Sequence, residues 1–84
     1  MQLRDYIDQE IIIQILAYGD EPISVRLRGV ETGGIWIENQ DITNAIPGVA
    51  GVAQSEQTPI LFFPYGQILF ALGTIPSVAL NELL

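Results

Sequence analysis

The stretch Gln57 to Asn81, QTPILFFPYGQILFALGTIPSVALN, runs without a single charged side chain. An uncharged apolar run of this length is the usual mark of a transmembrane helix. Its punctuation argues otherwise. Pro59, Pro64 and Pro76 interrupt it together with Gly66 and Gly73, and Phe63-Pro64-Tyr65-Gly66-Gln67 removes a helical hydrogen bond and offers a turn near the middle. No Lys or Arg lies beyond Arg28 to orient a span. A small membrane protein spanning residues 59–80 is therefore the less favoured reading. The stretch instead predicts two strands, Thr58 to Phe63 and Gln67 to Leu72, with Pro64-Tyr65-Gly66 between them. Ile60 to Phe63 and Ile68 to Leu72 are apolar on both alternating faces, so both faces are expected to be buried.

Length sharpens that expectation. Eighty-four residues make one domain, and a domain this small hides only about 60% of the surface its unfolded chain exposes. Apolar residues are 49% of the chain and charged residues 15%, against about 25% charged in an ordinary soluble domain. Such a chain is too apolar to be disordered and carries more apolar surface than one copy can bury. We expect copies to assemble, with strand four of one pairing with strand five of the next and Ile60, Phe62, Ile68 and Phe70 in the subunit interface. A monomer capped by its own helix and tail is the alternative.

Charge limits the partners. Ten acids against three arginines and no lysine give a net charge of -7, the wrong sign for holding phosphate by bulk electrostatics. The arginines, Arg4, Arg26 and Arg28, all lie in the first third. Without cysteine there is no disulfide and no thiolate-bound metal, and without histidine the commonest general base and metal ligand are missing. Asp5 lies where a secretory signal needs a basic region leading into an apolar core, so the expected location is cytoplasmic.

Leu3, Tyr6, Ile7, Ile11, Ile15 and Tyr18 recur at steps of three and four, with Arg4 and Asp8 spaced to pair, which predicts an amphipathic helix over residues 3–18. The β-branched run Ile11-Ile12-Ile13 suits a strand equally well. Asp20-Glu21-Pro22 punctuates the chain. Ile23, Val25 and Leu27 then alternate with Ser24, Arg26 and Arg28 in a first strand, and Gly29 to Gly34 supplies a turn into a second, Ile35 to Glu38. Ile42 to Ile46 alternates as a third, stopped by Pro47-Gly48. Pro47 to Gln57 reads as a long loop. Beyond residue 73 the chain is a tail over 74–84, or a short helix starting at Pro76.

This order, one helix, a strand ending in Val25-Arg26-Leu27-Arg28-Gly29, a glycine turn, a second strand, an Asx-rich turn and a final strand pair joined through Tyr65-Gly66-Gln67-Ile68, resembles the Sm-like family that includes bacterial Hfq. The resemblance covers residues 2–73. The family's first motif is a glycine, an apolar residue two later, an Asp at the sixth following position and an Asn at the tenth. Anchored on Gly33 this chain supplies Ile35, Asn39 and Thr43; anchored on Gly34 it supplies Trp36, Gln40 and Asn44. Neither register carries the Asp and Asn together. Tyr65-Gly66-Gln67-Ile68 is similar in position to the second motif, without its basic residue. The resemblance implies a mainly β fold, an SH3-like five-stranded barrel over residues 22–73 with an N-terminal α-helix. It also implies a homo-oligomeric ring of about five to seven copies that binds single-stranded RNA or DNA at its inner rim.

Asn39, Asp41, Thr43 and Asn44 can hydrogen-bond base edges, and Tyr65, with Gly66 and Gln67 beside it, can stack a base. Asn and Asp also favour turns by bonding their own backbone, and a loop-tip Tyr can sit with its hydroxyl in solvent. Arg26 and Arg28 share one strand face, where they can meet phosphates or pair with Asp20, Glu21, Glu31 or Glu38. No arrangement of acids resembles a general acid-base pair, the glycines match no phosphate-binding fingerprint, and Glu38 and Asp41 lack a metal-loop signature. We expect no enzyme, no cofactor, no metal and no small-molecule substrate. The alternative to nucleic-acid binding is a structural or adaptor ring whose acidic surface recruits protein.

Overall fold

The computed structural model describes residues 1–46 and 58–76. The loop expected over 47–57 and the end of the tail, 77–84, lie outside these residues. Five strands form one antiparallel sheet: β1 (Glu10–Ile15), β2 (Ile23–Val30), β3 (Gly34–Glu38), β4 (Leu61–Pro64) and β5 (Ile68–Leu72), in the order β4-β3-β2-β1-β5. A short helix, α1 (Gln40–Asn44), follows β3, and 3₁₀ turns occupy Leu3–Tyr6, Leu16–Tyr18 and Tyr65–Gln67.

The expected helix over 3–18 is corrected to a 3₁₀ turn, a strand and a second turn. The isoleucine run decides the matter: Ile11, Ile13 and Ile15 are buried while Ile12 is 40% exposed, which is the period of a strand. Leu3 and Tyr6 still pack against the core, from the 3₁₀ turn. Asp8 breaks the run with φ +70°, a left-handed conformation that no helix continues through. Its carboxylate lies 3.6 Å from the Arg28 guanidinium, so the helical pairing with Arg4 gives way to one across the fold.

The expected third strand, Ile42 to Ile46, is corrected to α1. Asn39 caps it: the side-chain Oδ1 accepts the Ile42 N–H at 2.9 Å, and Asp41 stands in the first turn, where negative charge suits the helix dipole. Ile42 and Thr43, neighbours in sequence, are both buried, and the Thr43 N–H donates to the Asn39 carbonyl at 3.0 Å and the Ala45 N–H to the Asp41 carbonyl at 3.2 Å, the i→i−4 bonds of a helix. The count of five strands thus holds because β1 replaces the strand that became α1.

β2 organises the sheet. Its first half pairs with β1, from Ile23↔Ile13 to Arg26↔Glu10, and its second half with β3, from Arg26↔Glu38 to Val30↔Ile35. An irregularity between Leu27 and Gly29 bends the strand there, and a Cβ on Gly29 would stand 3.4 Å from the Trp36 ring. Only Tyr65–Gln67 joins β4 to β5, the two outer strands. In a flat sheet those strands would lie about 19 Å apart, four spacings of about 4.8 Å. Three residues rising about 2 Å each cannot span that, so the sheet is coiled. Its concave face holds Ile11, Ile13, Ile15, Val25, Leu27, Ile35 and Ile37, and Ile42 of α1 joins them.

β4 and β5 are not a hairpin pair, for β4 bonds β3 and β5 bonds β1. Nor are both their faces buried within one chain: Phe62, Phe70, Leu69 and Leu72 are exposed, while Leu61, Phe63 and Ile68 pack on the core. Among the described residues the outer edges of β4 and β5 pair with no other strand, and neither strand carries a charge.

Candidate nucleic-acid interface

The candidate residues divide between two regions. Tyr65, Gly66 and Gln67 form the 3₁₀ turn after β4. The Tyr65 N–H donates to the Gly33 carbonyl at 3.1 Å, and its hydroxyl donates to the Glu31 carbonyl at 2.9 Å. The hydroxyl is therefore committed to the β2–β3 turn, while the residue as a whole stays 42% exposed. Such a ring is held in place without being covered, which is what a stacking platform requires.

Asn39, Asp41, Thr43 and Asn44 lie at the other end of β3. From Gly33 to Asn39 the extended chain covers six steps, about 20 Å, so one chain does not bring these residues to Tyr65. Asn39 is spent on structure: besides capping α1, its Nδ2 donates to the Ser24 carbonyl at 2.7 Å and ties α1 to β2. Thr43 is buried at 2% exposure. Asn44 accepts a hydrogen bond from Gln40 at 3.0 Å and remains exposed, as does Asp41. The segment beside Tyr65 is instead Glu31 to Gly33, which the sequence shows only as a glycine turn.

Arg26 and Arg28 project from the convex face into a cross-strand ladder. Arg26 lies 3.4 Å from Glu10 and donates to the Asp8 carbonyl at 2.6 Å; Arg28 lies 3.5 Å from Glu38 and 3.6 Å from Asp8. Of the expected partners Glu38 is found, and Asp8 and Glu10 take the remaining places. Both guanidinium groups are about 40% exposed, so each pair contributes about 0–1 kcal/mol. They hold the turn before β1 against β2 and β3.

Of the four expected interface residues, Phe62, Ile68 and Phe70 lie in the two outer strands and Ile60 directly precedes β4. Ile60, Phe62 and Phe70 are exposed and Ile68 is partly buried. Trp36 and Phe62 stand with ring centroids 5.2 Å apart at 57°, an apolar pair on the convex side of β3 and β4. Ile12, which pairs with Leu72, adds to the exposed apolar surface beside β5. Among the described residues no cluster of three or more acids could hold a metal ion, and no helix is long and apolar enough to cross a membrane. No family model, no curated protein and no solved structure matches the chain.

Proposed function

We propose that the chain is the subunit of a homo-oligomeric, Sm-like ring of about five to seven copies that contacts single-stranded RNA or DNA through Tyr65. The observation that carries this reading is the pair of uncharged outer strands, β4 and β5, whose outer edges pair with nothing among the described residues. Uncharged strand edges that no other described strand pairs tend to pair with other chains, with Pro64 blocking only the end of β4, and joining β4 of one copy to β5 of the next makes the contact head-to-tail. A head-to-tail contact that closes gives a ring and, with the coiled sheet, a barrel in each copy. Pairing β4 of one copy with β5 of the next would cover Phe62, Phe70 and Leu72. Tyr65, between those strands, would then recur around the ring as a series of stacking positions.

A second reading, an acidic adaptor ring that recruits protein without nucleic acid, is favoured by the engagement of Arg26 and Arg28 in ion pairs and by the charge of -7. Light scattering tests the shared assembly, and a stable monomer sinks both readings. Filter retention of short oligo-U, oligo-A and DNA at low salt separates them: retention lost on Tyr65→Ala supports the first, and no retention leaves the adaptor.

A further inference from the structure

We draw no further inference here: the strongest candidate, the open apolar groove of about 570 Å³ between the Leu3–Tyr6 turn and the Ala71–Gly73 end of β5, belongs to the strand edge already assigned to a neighbouring copy, and nothing in the structure shows a different occupant.

Discussion

The hydroxyl of Tyr65 donates to the carbonyl of Glu31 across 2.9 Å, fastening the turn between β4 and β5 to the turn between β2 and β3. The ring and the hydroxyl of this one residue serve separable ends. Tyr65→Phe removes the bond and keeps the ring, so it costs about 0.5–1.5 kcal/mol in urea unfolding and leaves oligonucleotide retention in place. Tyr65→Ala also removes the ring and weakens retention by about 1–3 kcal/mol per stacked base. Equal retention by wild type and Tyr65→Ala would falsify the stacking role.

The outer edge of β5, unpaired among the described residues, supplies a second test. Phe70 and Leu72 are 39% and 48% exposed in the single chain, so a charge there does little to the fold itself. Phe70→Lys or Leu72→Lys is expected to yield a folded monomer by light scattering, because a lysine on an edge opposes pairing with another strand. An unchanged oligomer mass would place the subunit contact elsewhere.

Two adjacent glycines are expected to behave differently. A Cβ on Gly34 would collide with the Phe63 carbonyl and come within 2.8 Å of the Phe62 ring, so Gly34→Ala forces β3 and β4 apart. Gly33 has open space around the same position and a backbone open to any residue. Gly34→Ala should cost several kcal/mol or prevent folding, roughly as overpacking does, whereas Gly33→Ala should change stability by less than about 1 kcal/mol. Thermal unfolding of the two variants side by side gives the comparison.

β1 can be read out residue by residue. Ile13→Ala opens a hole in the core at a fully buried position and is expected to cost about 2–5 kcal/mol. Ile12→Ala, on the convex face, should cost much less in a monomeric background. Similar losses at both positions would contradict the alternation that makes this segment a strand.

Asn39 is predicted to matter to stability rather than to ligand. Asn39→Ala removes the cap of α1 and the tie to Ser24, for a loss of about 0.5–2 kcal/mol in denaturant unfolding from the cap alone. Retention measured well below the unfolding midpoint should stay at the wild-type level. A selective loss of retention with unchanged stability would restore Asn39 to the interface.

Much of the sheet was legible where local pattern and tertiary burial agree. Ile23 to Leu27 alternates cleanly, and β2 lies there; Pro64 and Gly66 mark the turn that does separate β4 from β5. The errors came where two periods fit the same letters. Leu3, Tyr6, Ile11 and Ile15 satisfy helical spacing, yet burial of alternate isoleucines contributes more than helix propensity, which β-branched residues lower. At Ile42 the reverse holds, since an Asn such as Asn39 suits a turn and a helix cap alike, and only the bond from the Ile42 N–H to its side chain distinguishes the two. The site was less legible than the fold. Which turn lies beside Tyr65 depends on strand order, and spacing along the chain carries no direct record of which strands become neighbours across the sheet.

The coupling of β1 to β5, with Ile12 opposite Leu72, joins the earliest of the described strands to the last of them. During synthesis β1 can pair with β2 early but must wait for residue 72 before its other side is satisfied. Contacts between such distant positions require closing a long loop before they return any free energy, which slows folding towards the millisecond-to-second range of β-rich domains. Until then the apolar edge of β1 stands open, so the nascent sheet is most vulnerable to mispairing just before β5 emerges.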